Sequence, residues 1–198
     1  NFEIISHGFK GETQFLKIKH NNLTKGINFN LIGKIQLKNV LMAIIAAKNS
    51  NLNLDKILNI IPKLKPVEGR FERVGNIKNL SKVILDYAHT PDALKTCLLN
   101  LREQFPDKKI TLLFGCGGNR DQSKRSKMGK IASNYADDII LTNDNPRFEN
   151  PEKIRRDIKK GIKKKKIIEI SNRAIAISEA IKNLNTGNIL LVAGKGQE

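Results

Sequence analysis

The sequence predicts an α/β protein whose larger part is a mainly parallel sheet with helices on both faces. Short apolar runs recur at residues 82–85, 110–114, 139–141, 167–170 and 189–192, each of strand length. Helical patterns fill the gaps: Leu94, Leu98 and Leu101 form one face, and Met128, Ile131, Ala132 and Tyr135 a second. Ile154, Ile158 and Ile162 form a third, and Ile177, Ile181 and Leu184 a fourth. The runs are continuously apolar, as strands covered on both faces are. Strand and helix in strict alternation requires crossover connections, and those build a parallel sheet.

The first third of the chain has another rhythm. Phe15, Ile18, Ile27, Phe29 and Leu31 alternate with polar residues on either side of Asn21-Asn22, which predicts antiparallel strands and a turn up to about residue 33. Residues 34–49 change to helical spacing, with Leu37, Leu41, Ile44 and Ile45 on one face. A second helix is expected over 54–64, with Asp55 in its first turn and Pro62 and Pro66 closing it. Pro66-Val67-Glu68-Gly69 reads as a linker. The expected domains are therefore 1–66 and 67–198.

Composition limits the function classes. Of 198 residues, 39% are hydrophobic and 28% charged, the balance of a globular chain. No apolar run approaches the roughly 18 residues of a membrane span, and Asn1-Phe2-Glu3-Ile4-Ile5-Ser6 is unlike a secretory leader. The chain opens without Met and stops abruptly, so a segment of a longer protein is expected. Cys97 and Cys116 make no disulfide framework, and the cytoplasm is the expected compartment. The net charge of +17 is spread along the chain, and its densest run, 163–166, has no interleaved aromatics. No nucleic-acid partner and no membrane partner is expected, and a monomer is.

The chemistry collects where strands end. Asp86-Tyr87-Ala88-His89-Thr90-Pro91-Asp92 follows the first run and Gly115-Cys116-Gly117-Gly118-Asn119-Arg120-Asp121 the second. Asp144-Asn145-Pro146-Arg147 follows the third and Gly194-Lys195-Gly196-Gln197-Glu198 the last. Connections at the opposite edge, 106–109 and 185–188, are plain turns. The carboxyl edge is where open α/β sheets bind ligands. Asn150-Pro151-Glu152 is a helix start, which puts the Asp-Asn-Pro-Arg tetrad in a strand-to-helix loop.

Gly115-Cys116-Gly117-Gly118 invites comparison with the dinucleotide fingerprint, but Arg120 stands where the last glycine belongs, which argues against a nicotinamide site. Thr90 is explained by helix capping. Asp86 and His89 suit a nucleotide or metal contact and equally a structural role. Neither a diagnostic metal cluster nor a Ser/His/Asp order is evident. Arg120 and Arg147 suit a double clamp for carboxylates, and Glu198 an ammonium group. A site positive at one end and negative at the other is the complement of an amino acid.

Taken in order, Gly69-Arg70-Phe71-Glu72 and the four strand-end motifs resemble the Mur ligases over nearly the whole chain. The tetrad resembles the members that add meso-diaminopimelate. The resemblance implies the end of a central ATPase domain followed by most of a Rossmann-like C-terminal domain. It also implies ATP-driven amide ligation on UDP-MurNAc-L-Ala-D-Glu through an acyl phosphate, with Mg2+ bridging the phosphates.

By the same resemblance Arg120, Asp144, Asn145, Pro146, Arg147, Gly194 and Glu198 would hold diaminopimelate. Asn39, Arg70, Asp86 and His89 would lie on the ATP side. No residue of this segment is singled out as catalytic or as a metal ligand. Gln36 and Gln197 stand where the family commonly has Asn and His. The chain holds no Gly-x4-Gly-Lys-Ser/Thr, so the segment is expected to be inactive alone. Two other readings stay open: a folylpolyglutamate synthase-like ligase, which shares the architecture, and a basic nucleic-acid-binding module.

Overall fold

The structure, a computed structural model, describes residues 2–74, 80–163 and 165–194. It divides into two compact units, one of residues up to 66 with 103–105, the other of 67–102 with residues from 106 onward.

The first unit carries three antiparallel strands, β1 (Phe2–Lys10), β2 (Thr13–His20) and β3 (Leu23–Phe29), in the order β1-β2-β3. Asn21 and Asn22 close the second hairpin at φ 47° and 65°, the left-handed pair a two-residue turn between twisted strands requires. Helix α1 (Lys34–Asn49) and helix α2 (Leu54–Ile60) follow. α2 passes into a 3-10 turn at Ile61–Lys63, shorter than the helix expected to 64, because Pro62 removes a backbone donor. Leu16, Ile18, Phe29, Leu37, Val40 and Ile44 build this unit's core.

The second unit is the expected parallel sheet. Strands β4 (Glu72–Arg73), β5 (Lys82–Asp86), β6 (Ile110–Phe114), β7 (Asp138–Leu141), β8 (Ile167–Glu169) and β9 (Ile189–Ala193) lie in the order β4-β5-β9-β6-β7-β8. All pairs are parallel except β4–β5. The last strand is thus inserted at the centre, between β5 and β6. Helices α3 (Pro91–Gln104), α4 (Ser123–Tyr135) and α5 (Pro151–Lys159) join strands running one way across the sheet, and α6 (Arg173–Lys182) returns the other way. Right-handed crossovers therefore put α3, α4 and α5 on one face and α6 on the other.

The register agrees with this division. Val83, Leu113, Ile140, Leu190 and Val192 pack with Ala176 and Ala180 of α6, and alternate residues such as Ile84, Leu112 and Leu191 point to the other face and are equally buried. One expectation is refined and one is corrected. The buried centre of α6 is Ala176 and Ala180, with Ile177, Ile181 and Leu184 only partly covered. β8 is an edge strand whose Ile168 is half exposed, so it is not covered on both sides. Gly129 and Gly161 let α4 and α5 approach closely: a β-carbon on either would strike backbone of the opposite segment. No helix among the described residues is long and apolar enough to cross a membrane.

Candidate functional site

Loops at the carboxyl ends of β5, β6, β7 and β9 meet around one cleft of about 610 Å³ in the second unit. Its walls include His89, Arg120, Asp121, Lys124, Asp144 and Arg147. Cationic and anionic side chains thus share a single depression.

Glycines let the loops cross. The β7 loop passes over the end of β6, and a β-carbon on Gly115 would collide with the Thr142 carbonyl and stand 3.0 Å from the Asp144 amide. A β-carbon on Gly118 would collide with the Pro146 carbonyl oxygen and lie 2.7 Å from its carbon. The Gly118 amide donates to the Asn145 carbonyl at 2.8 Å. The requirement at both positions is close backbone approach.

Arg147 takes φ 50° within the turn closed by the Glu149 amide on the Pro146 carbonyl at 3.0 Å. Its guanidinium donates to the Gly118 carbonyl at 2.9 Å, which ties the two loops and leaves further donors on the cleft. Arg120, also on the cleft, is exposed and has no hydrogen bond or ion pair to another described residue. Asp144 accepts from the Asn145 amide at 2.6 Å, and its second oxygen stands 3.4 Å from where a β-carbon on Gly194 would be. Lys124 donates to the His89 carbonyl at 2.8 Å. The His89 Nδ1 lies 3.0 Å from the Tyr87 carbonyl; a carbonyl only accepts, so Nδ1 is the donor.

Other predicted residues stand apart from the cleft walls. Asp86 is buried and spends both oxygens on backbone amides, Phe71 at 2.9 Å and Ala88 at 2.9 Å; it shapes the loop. Arg70 lies over the Tyr87 ring, 4.9 Å from its centroid, and β4 and its turn are thereby held beside β5. Pro146 lines a minor recess behind the loop. Asn39 belongs to the first unit, on the exposed side of α1, where it donates to Gln36 at 3.1 Å. Glu198 lies outside the described residues, as does Gln197.

The charged residues that brace these loops escape sequence reasoning. Arg125 of α4 is fully buried; its Nη2 donates to both Glu149 carboxylate oxygens at 2.8 and 2.9 Å and its Nη1 to Asp157 at 3.3 Å. Glu149 also accepts from the Asn119 amide at 2.5 Å, so the pair locks the glycine loop to the tetrad loop. The Asn119 amide and the Arg125 guanidinium hold the Glu149 carboxyl below the usual carboxylate range. The signal was available: Arg125 is in phase with Met128 and Ala132, on the face that a helix buries. Arg173 opens α6, directly after the loop that follows β8 at the same edge.

The thiols are no nucleophiles. Burial pushes Cys116, at the cleft, up to about 12 and raises Cys97 further, so both stay protonated near neutrality. No group of three or more His, Cys, Asp and Glu side chains suited to a metal ion exists among the described residues.

Residues 69–196 match the family model described as Mur ligase, glutamate ligase domain. The UDP-N-acetylmuramoyl-L-alanyl-D-glutamate--2,6-diaminopimelate ligase of Rickettsia felis is 42% identical over 210 residues, which cover 100% of this chain and 39% of that protein. A solved structure of a ligase of the same name has a TM-score of 0.74 at 32% identity, over 100% of this chain and 40% of its own. The folylpolyglutamate synthase of Thermotoga maritima also reaches 0.74, over 98% of this chain and 43% of its own, at 21% identity; that likeness shows the fold alone. The chain spans about two fifths of the length of the curated relatives it matches.

Proposed function

The chain belongs to the Mur ligase family, and from that premise we propose that it supplies the amino-acid pocket of an ATP-dependent ligase adding meso-diaminopimelate to UDP-MurNAc-L-Ala-D-Glu. The observation that carries this is the mixed charge of one cleft: the Arg120 and Arg147 guanidinium groups together with the Asp144 carboxylate. Diaminopimelate is a zwitterion with an ammonium and a carboxylate at each tip, and such a cleft offers each group a partner. The forked donors of Arg120 and Arg147 match carboxylate geometry. Asp144, with Glu198 further along the chain, takes ammonium.

The chemistry proposed is amide ligation. The γ-phosphoryl of ATP passes to the D-glutamyl carboxylate, giving an acyl phosphate. The acceptor amine then attacks the acyl carbon, the bond to phosphate breaks, and the amine gives up a proton. The cleft's part is to hold the amine in line and to select the acceptor. On the ATP side, Arg70 over Tyr87 together with His89 gives cationic and aromatic surface suited to a nucleotide. Asp86 acts there by fixing the loop. The described residues include no group of three or more His, Cys, Asp and Glu side chains to hold Mg2+; when bound with ATP, the ion would neutralise phosphate charge. The segment alone is proposed to be inactive, its phosphate-gripping loop lying elsewhere in the protein.

The test is phosphate release by the full-length enzyme with UDP-MurNAc-L-Ala-D-Glu and each candidate acceptor. Turnover with meso-diaminopimelate and little with L-lysine is expected. Equal turnover with both, or with glutamate alone, would overturn the assignment.

A further inference from the structure

Beneath the cleft lies a charged side chain that the reading above leaves without a task. Arg173 is the first residue of α6, and α6 packs on β6 and β9 from the face opposite α3, α4 and α5. Its Nη2 donates to the Ala193 carbonyl at 3.0 Å. Ala193 ends β9, and the next residue, Gly194, lines the cleft. Nη1 is buried with no hydrogen-bond partner among the described residues.

Asp144 stands on the other side of the same point. It reaches there from β7 by crossing the end of β6 at Gly115, and its free Oδ2 abuts Gly194. Burial pulls the Arg173 guanidinium below its ordinary value, and the Asp144 charge is what opposes that pull. The groups around Asp144 matter. Arg120, Lys124 and Arg147 line the same cleft, and an unrestrained carboxylate among three cations would pair with one of them and quench it. A cation fixed behind the floor keeps the carboxylate at its own end.

We infer that Arg173 is a positioning residue for the amino-acid cleft, holding the Asp144 carboxylate and the backbone of Ala193 and Gly194 where they meet the acceptor's ammonium. The inference rests on the proposed function in that the cleft is taken to bind an amino acid. It adds a specificity device: Arg173 sets the polarity of the cleft, negative at the β9 end and positive at the loops of Arg120 and Arg147. Arg173 touches no reacting atom in this role and acts through Asp144.

The experiment uses the full-length enzyme with Arg173→Met, Arg173→Lys, Asp144→Asn and the double variant Arg173→Met/Asp144→Asn. Arg173→Met should raise KM for the acceptor about tenfold, with KM for ATP and for the UDP-sugar substrate changed by less than about twofold. Arg173→Lys should recover most of that loss. In the Asp144→Asn background Arg173→Met should add little, because the two act as one unit. Additive effects, an equal rise in all three KM values, or a fall in melting temperature with acceptor KM unchanged would overturn the inference.

Should Arg173→Met fail to fold, Arg173→Gln, which removes the charge but keeps a hydrogen-bond donor, decides. A several-fold rise in acceptor KM at unchanged melting temperature supports the assignment, and an unchanged KM refutes it. Wild-type enzyme indifferent to diaminopimelate would refute the proposed function instead, and the coupling of Arg173 to Asp144 is then read with whichever amino acid that enzyme accepts.

Discussion

Two substitutions at Arg147 separate what its side chain binds from what its backbone costs. The residue holds φ 50°, a left-handed conformation that costs an L side chain about 1–2 kcal/mol. The residue is exposed overall, and its guanidinium makes one bond to the Gly118 carbonyl at 2.9 Å, worth about 1 kcal/mol net. Arg147→Ala keeps the strained backbone and loses the bond, so it should destabilise by about 1 kcal/mol. Arg147→Gly loses the same bond but relieves the strain, and should be about 1 kcal/mol more stable than the alanine variant.

Binding should follow a different order, because both variants lose the fork. A charge-assisted contact to an acceptor carboxylate is worth about 2–3 kcal/mol, which is about 30- to 150-fold in kcat/KM for the acceptor. Urea unfolding gives the stabilities, and phosphate release at varied acceptor gives the kinetics. A glycine variant no more stable than the alanine variant would refute the strain argument. An equal loss in kcat/KM for ATP would refute the clamp.

Two further outcomes are expected. Glu149→Gln leaves the fully buried Arg125 with Asp157 as its remaining carboxylate and should lower the melting temperature by several degrees. Because the carboxyl of Glu149 is held low in the folded state, its contribution is complete above the ordinary carboxylate pKa of about 4 and is lost as pH falls through the folded value. The variant should therefore flatten the acid limb of the stability curve, and an unchanged limb would refute the pairing. Gly118→Ala puts a β-carbon into the Pro146 carbonyl, with backbone on both sides, and should cost about 1–3 kcal/mol in urea unfolding together with a rise in acceptor KM. A neutral outcome there would mean that the two loops do not touch.

Much of the fold was legible because the signals are local. The run Ile110–Phe114 is the strand that its apolar pattern predicts, and Asn150 caps α5 by accepting from the Glu152 amide at 2.8 Å. Alternation of strand and helix also put the loops of Asp86, Gly115, Asp144 and Gly194 on one edge, since every parallel strand ends on the same side. Part of the candidate cleft was legible for the same reason: Arg120, Asp144 and Arg147, which line it, sit beside the glycines and proline that mark those loops.

What one stretch of chain cannot specify is which strand lies beside which. β9 enters between β5 and β6, and only that insertion brings Gly194 under the Asp144 carboxylate from two strands away. The buried charges depend on the same long-range choice. Arg125 is tolerable inside only because Glu149 and Asp157, from segments far along the chain, converge on it, and Arg173 meets the Ala193 carbonyl only because α6 returns across the opposite face of the sheet. Sequence periodicity determined the elements and the edge where polar loops gather. Strand order and the pairing of desolvated charges decided the cleft, because a partner's identity resides in residues that are neighbours only after folding.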